Sequence, residues 1–167
     1  AALLADAIKI NGKVQAKNAL VSAGNFTMDN SSGAVTSAGK KATLIEMTIN
    51  PQYSIDVSSL GGITANSISM IGNNIGFGVR NNGSIISNSS LQLTSYGNLI
   101  NKGTIKGNGL LSQVSTVTGI TNEGSIGGAN YLMLSSGDYI VNVGSITGGQ
   151  LIATANGNIC LLYTSPS

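Results

Sequence analysis

A five-residue phrase, Asn-x-Gly followed by Ser or Thr and then Ile, occurs four times in this 167-residue chain. The copies read NNGSI, NKGTI, NEGSI and NVGSI, and their glycines, at positions 83, 103, 124 and 144, are therefore 20, 21 and 20 residues apart. Self-similarity at a fixed period is typical of an array in which each unit stacks on the next. The residues that define the repeat are Asn81, Gly83, Ile85, Asn101, Gly103, Ile105, Asn122, Gly124, Ile126, Asn142, Gly144 and Ile146.

Apolar and polar residues alternate inside the units. Leu91 and Leu93, for example, are followed by Gln92 and Thr94, and this period of two is that of a β-strand. Each unit also contains several Gly and Asn residues, which favour turns over helices. Leucine-rich repeats have units of similar length but need a leucine framework that the sequence lacks. The pattern predicts an all-β fold, a right-handed parallel β-helix (β-solenoid) with coils of about 20 residues and one excursion from the helix.

Each position of the phrase has a predicted structural role. The four Asn residues are expected to lie above one another at one corner, where their amides donate and accept hydrogen bonds along the column. The Gly two residues later lets the chain turn where a side chain would clash. The Ile begins an inward-facing strand. In the first coil, residues 8–26, the residues predicted to point inward are Ile8, Ile10, Val14, Ala16 and Leu20.

The periodicity divides the chain into four segments. Residues 1–26 are predicted to form β-helix coils, and residues 55–159 the repeat region. Between them, residues 27–54 lose the period and are rich in turn signals, which predicts a loop or hairpin with a strand at 43–49. The start of the sequence resembles the middle of a longer protein. The end, CLLYTSPS (residues 160–167), resembles the translation of a sequencing adapter, so we expect this tail and its Cys160 to be non-native.

The inventory of reactive side chains is small. The chain has no His, one Cys and six acidic residues, which excludes a His-based metal site, a Ser-His-Asp triad and a Cys-rich zinc module. The carboxylates are dispersed, whereas β-helix enzymes that cleave pectin need them clustered. The eight basic residues are also scattered and give a net charge of +2, so no basic stripe for nucleic acid forms. We predict a non-enzyme with no catalytic residues, metal, cofactor, small-molecule substrate or nucleic-acid partner.

The segment from 54 to 85 carries a further phrase: an aliphatic residue before Asp, then Leu-Gly-Gly, Ala-Asn, a Gly-x-Gly-Val run and Asn-x-Gly. It resembles the filamentous haemagglutinin and contact-dependent inhibition exoproteins, large proteins secreted by two-partner systems. The downstream units are similar to haemagglutinin repeats, and the likeness covers roughly residues 8–159. The residues that carry the motif are Leu60, Gly61, Gly62, Ala65, Asn66, Gly76, Gly78 and Val79.

The resemblance implies a function. A chain of this family would be a structural stalk segment of a surface adhesin, which mediates adhesion or contact-dependent inhibition by projecting distal binding or toxin regions. It would be secreted to the outer cell surface of a Gram-negative bacterium, where it acts in virulence. Its partners would be an outer-membrane transporter, engaged through a region outside this chain, and a cell-surface receptor on host or bacterium.

Two other functions remain open at this point. The chain could be a non-catalytic fragment of a polysaccharide-active β-helix enzyme whose catalytic coils lie elsewhere. It could also be a receptor-binding module centred on residues 27–54.

Overall fold

The chain forms a β-solenoid of about six turns, which confirms the predicted fold class. The computed structural model describes residues 1–24 and 53–161 in full, together with the backbone of residues 26–28, 35–37 and 164–166. No α-helix occurs in these described residues, and none of them forms a helix long and apolar enough to cross a membrane.

Two parallel sheets run along the solenoid. The larger, called the long sheet, consists of β1 (Ala2–Ala5), β3 (Lys13–Ala23), β7 (Gly62–Gly72), β9 (Ser84–Ser95), β11 (Thr104–Gly107), β12 (Leu111–Thr116), β14 (Ser125–Ser136), β16 (Ser145–Ala155) and β18 (Thr164–Pro166). The other, the short sheet, consists of β2 (Ile8–Ile10), β6 (Tyr53–Val57), β8 (Gly78–Asn81), β10 (Leu99–Asn101), β13 (Ile120–Asn122), β15 (Ile140–Asn142) and β17 (Ile159–Leu161). Each coil therefore passes once through each sheet.

Three turns close each coil. The Asn corner leads from the short sheet to the long sheet, at residues 82–83, 102–103, 123–124 and 143–144. The bend interrupts the long sheet, at residues 66, 88–89, 108–110, 129–130 and 149. The return corner leads back to the short sheet, at residues 96–98, 117–119, 137–139 and 156–158.

Equivalent side chains lie directly above one another in the interior. The Ile of the repeated phrase pairs in register from coil to coil, and each of these side chains is fully buried. Stacking gives every internal strand a partner on both edges and lets each apolar side chain pack on its equivalent in the next coil. The column consists of Ile63, Ile85, Ile105, Ile126 and Ile146.

Two more aliphatic columns complete most of the core. The short sheet contributes one column, and the second half of the long sheet contributes another on the opposite wall. Their side chains are at most 1% exposed, so the core is continuous along the solenoid. They are Ile55, Val79, Leu99, Ile120 and Ile140 in the first column, and Met70, Leu93, Val114 and Leu134 in the second.

The bend explains why the repeat alternates between 20 and 21 residues. It contains two residues at 88–89, three at 108–110 and two at 129–130, while the pairing on both sides stays in register. The extra residue of the 21-residue unit therefore lies wholly in the bend.

The structure corrects one part of the predicted core. Leu20 was expected to point inward with Val14 and Ala16, but it is only half-buried, and its neighbours Ala19 and Val21 are the buried residues. The first-coil bend causes the difference. One residue, Lys17, falls out of register between the pairs made by Ala16 and Asn18, which reverses the alternation of side chains beyond it.

A separate antiparallel pair lies outside the two solenoid sheets. It joins β4 (Phe26–Met28) to β5 (Val35–Ser37), within the part of the chain where the repeat period is lost. The strand predicted at 43–49 lies outside the described residues. The short sheet resumes with β6, which pairs with β2 across this interruption, Ile8 opposite Ile55.

Candidate functional site

The asparagines of the repeat form a continuous hydrogen-bonded ladder. The amide Nδ2 of Asn81 donates to Oδ1 of Asn101 over 2.9 Å, Asn101 donates to Asn122 over 2.8 Å, and Asn122 donates to Asn142 over 2.7 Å. All four side chains have no exposed surface. The donors all point the same way along the axis, so the ladder is polar and can be continued by one amide per coil.

Each amide also holds the backbone of its own coil and of the next. Nδ2 of Asn101 donates to the carbonyl of Gly103 over 3.2 Å and to that of Ser125 in the following coil over 3.1 Å. Asn81 and Asn122 make the equivalent pairs of bonds. A buried amide without partners would cost stability, and this arrangement supplies acceptors to the donor group in three directions.

A column of glycines lies beside the ladder, at the Asn corner. A Cβ added to Gly103 would collide with the carbonyl oxygen of Gly83, and the same holds for Gly124 on Gly103 and for Gly144 on Gly124. Glycine is therefore required because adjacent coils approach backbone to backbone. The freed space lets successive corners bond, as when Thr104 N donates to Gly83 O over 2.9 Å.

The glycine column extends beyond the repeated phrase. A Cβ on Gly83 would collide with the carbonyl oxygen of Gly61, and the amide of Gly62 donates to the carbonyl of Gly12 over 3.1 Å. The sequence analysis missed this continuity because Gly12 is separated from Gly61 by 48 intervening residues. The spacing of Ile10, Gly12 and Val14, which equals that of the Asn-x-Gly-x-Ile phrase, was the signal that could have revealed it.

Apolar residues occupy the asparagine position in the coils that precede the ladder. Ile10 pairs with Val57, and Val57 pairs with Asn81. At the other end, Asn142 is paired with Leu161. In the described residues the ladder thus spans four coils, between an aliphatic residue on each side.

The residues that carry the family resemblance do not converge on one surface. Gly61 and Gly62 are buried at the Asn corner, where Leu60 is 77% exposed in a loop two residues longer than in later coils. Ala65 is buried and Asn66 is exposed at the bend. The remaining three, Gly76, Gly78 and Val79, lie where the chain enters β8.

Two of these glycines have local reasons to be glycine. Gly76 has a φ of 90°, which L side chains rarely adopt. A Cβ on Gly78 would come within 2.9 Å of the carbonyl oxygen of Asn98 in the next coil. The motif is therefore a set of backbone requirements spread over one coil.

A second polar column was not predicted. It is made of hydroxyl groups near the return corner, where Thr116 and Ser136 face each other with their oxygens 3.4 Å apart. Ser95 Oγ donates to Asn98 O over 2.8 Å, and Ser136 Oγ lies 2.8 Å from Tyr139 O. These side chains are small and scattered in Ser-rich sequence, so no spacing signal distinguishes them from surface serines.

One ion pair on the outer face of the short sheet joins two coils. Nε and Nη2 of Arg80 donate to the two carboxylate oxygens of Asp56 over 2.9 and 2.7 Å, and the guanidinium lies 4.5 Å from the centre of the Tyr53 ring. The hydrogen bond to Asp56 raises the pKa of Arg80 above its usual value. Lys102 and Glu123 form a longer contact of 3.9 Å at the Asn corner. Within the described ranges, no three Asp, Glu, His or Cys residues are grouped as a metal site would need.

A shallow groove of about 670 Å³ follows the outer face of the long sheet across several coils. Its polar lining consists of amides and hydroxyls, including Asn18, Ser69, Gln92 and Gln113, and no Asp, Glu, Lys or Arg among the described residues lines it. These groups can make neutral hydrogen bonds but have no acid, base or nucleophile of altered pKa among them.

Comparison of the chain with protein-family models, with curated proteins and with solved structures finds no match.

Proposed function

We propose that this chain is a shaft segment of a long secreted adhesin, a rod that carries binding or toxic regions away from the cell surface. The observation that supports this most is the in-register stacking of the asparagine ladder, the glycine column and three aliphatic columns. Each coil interacts with its two neighbours through the same contacts, so stability depends on adjacent interfaces and length can be extended coil by coil.

The dimensions suit a spacer. Adjacent strands are about 4.8 Å apart, so six turns extend roughly 30 Å along the axis. Backbone hydrogen bonds, the amide ladder and the packed core all cross every coil interface, which makes the rod stiff along its length.

The resemblance to haemagglutinin-type exoproteins supports the surface setting. In that setting the rod is secreted through an outer-membrane transporter of a Gram-negative cell, and a region outside this chain contacts the receptor on a host or bacterial cell. The residues described above then act through geometry: they set the direction and length of the shaft.

Removing one whole coil tests the proposal. A variant of the full reading frame that lacks residues 104–124 joins Gly103 to Ser125, which restores the Gly-Ser junction of the next coil. The coils on both sides have two-residue bends, and Asn101 meets Asn142 in the shortened ladder. We expect surface display and cell attachment close to those of the parent, since the distal region moves by only about 5 Å.

A matched deletion of residues 104–114 serves as the control. It removes half a coil and places inward residues against outward ones, so display should be lost. Loss of attachment with display retained in the 104–124 variant would contradict a shaft and assign adhesion to these coils. Excess purified 167-residue chain should leave attachment unchanged, and competition by it would favour a binding module. Release of oligosaccharide from a polysaccharide would favour the enzyme alternative.

A further inference from the structure

The chain contains four Asn-Gly pairs, the dipeptide most prone to spontaneous deamidation. They are Asn11-Gly12, Asn82-Gly83, Asn108-Gly109 and Asn156-Gly157. The backbone nitrogen of the glycine attacks the side-chain carbonyl carbon of the asparagine. This nitrogen must lose its proton to react, so a hydrogen bond that it already donates to the protein opposes the attack.

In two pairs the glycine nitrogen is held. Gly83 N donates to Oδ1 of Asn81, the first residue of the ladder, over 3.2 Å. Gly157 N donates to the carbonyl of Asp138 in the preceding coil over 2.5 Å. Both pairs are therefore tied to the stacked corners of the solenoid.

In the other two pairs the glycine nitrogen makes no hydrogen bond within the described part of the chain. Gly109 is anchored through its carbonyl, which accepts from Nδ2 of Asn130 over 2.9 Å, and it belongs to the three-residue bend, the longest of the series. At Gly12 nothing lies within 4 Å of a built Cβ, so the chain there has room to move. Asn11 and Asn108 are both exposed.

We propose that Asn11 and Asn108 are deamidation sites of the folded protein, and that Asn82 and Asn156 are protected. The glycine nitrogen forms a bond to Cγ of the asparagine, and the side-chain nitrogen leaves as ammonia, which carries away the displaced protons. The resulting succinimide is opened by one water molecule to aspartate or isoaspartate. The change adds a carboxylate to the outer surface at the first Asn corner and at one bend, and it leaves the ladder intact.

Exposure does not make the same division. Asn156 is as exposed as Asn108 by class, so a rule based on solvent access predicts that both react. The hydrogen bond of Gly157 separates them. One net hydrogen bond corresponds to about a tenfold difference in rate, and we expect Asn108 to convert at least about tenfold faster than Asn156.

The test is peptide mapping of the intact 167-residue chain after incubation in mildly alkaline buffer made with ¹⁸O-labelled water. Each deamidation event then incorporates one labelled oxygen, and fragmentation separates aspartate from isoaspartate. The same chain in denaturant provides the reference, in which all four pairs should convert at similar rates. An Asn108→Gln variant should lose the label at that position alone, with an unchanged circular dichroism spectrum.

Conversion of Asn11 and Asn108 in the folded chain, with Asn82 and Asn156 preserved, supports the proposal. Conversion of Asn156 at the rate of Asn108 would overturn it in favour of simple exposure. Protection of Asn108 in the folded chain, relative to the denatured reference, would also overturn it. Since no outcome depends on adhesion, this result is independent of the shaft proposal.

Discussion

Replacement of Asn101 by Ala removes the middle of the asparagine ladder. Four hydrogen bonds are lost: three donated by Nδ2, to Asn122, Gly103 and Ser125, and one accepted by Oδ1 from Asn81. At about 0.5 to 1.5 kcal/mol each, their loss lowers the free energy of unfolding by about 2 to 6 kcal/mol. We expect about 4 kcal/mol, because the site is fully buried and water cannot replace the lost partners.

The measurement is urea unfolding followed by circular dichroism in the far ultraviolet, with the change in unfolding free energy taken from the shift of the midpoint. Asn88→Ala is the matched control. Asn88 is exposed at the bend and makes one long hydrogen bond of 3.4 Å, to Asn66, so its loss should change stability by less than about 0.5 kcal/mol. If Asn101→Ala cost no more than this control, the ladder would not stabilise the solenoid.

A double-mutant cycle distinguishes a cooperative ladder from independent bonds. Asn101→Ala and Asn122→Ala share one bond, Nδ2 to Oδ1 over 2.8 Å. The double variant should therefore be less destabilised than the two single changes added together, by about 0.5 to 3 kcal/mol. Simple additivity would show that the amides act separately.

Three further changes test the interior and the Asn corner. Ile105→Asp places a charge in the fully buried Ile column and should unfold the adjacent coils, at a cost above about 4 kcal/mol; an unchanged melting curve would contradict the register. Gly103→Ala should be destabilising because its Cβ collides with the carbonyl of Gly83, whereas Gly12→Ala has free space and should be neutral or stabilising by up to about 1 kcal/mol; equal melting temperatures would refute the backbone-contact explanation. Asn101→Asp puts a carboxyl among carbonyl acceptors, which raises its folded pKa above the unfolded value of about 3.9. Its stability should therefore be highest below that pH and fall as the pH rises, and a pH-independent difference from the parent would argue against this surrounding of acceptors.

Much of the fold was predictable because the repeat places chemically equal residues at equal positions. The phrase that begins at Asn81 and ends at Ile85 fixes a corner, a turn and an inward strand at once, and its period then sets which residues pair between coils. The alternation of Leu91 and Leu93 identifies the adjoining strand. These signals are local and recur, so each copy supports the others.

What the sequence did not predict depends on contacts between coils. Leu20 was assigned to the core by simple alternation, but the register slip at Lys17 in the bend reverses the phase, and Ala19 and Val21 are buried instead. Ser112 is another example: it is fully buried in the column between Leu91 and Leu132. Its position is possible because its hydroxyl fills the space beside Gly107 that a side chain there would need.

The candidate site was predictable in its parts more than in its extent. The asparagines were visible as a spaced series, while Gly61 belonged by sequence to a different motif and by structure to the glycine column. The ion pair between Arg80 and Asp56 could not be anticipated, since 24 positions separate the two residues and a 21-residue period alone would not bring them level.

The bend has a consequence for how such a gene can change. It accommodates one, two or three residues while the pairs on either side remain matched, so gain or loss of a codon there leaves the interior as it was. Protein engineers can use the same property: the position occupied by Leu110, which is 78% exposed, is a natural entry point for a foreign peptide, displayed at a known height along the rod.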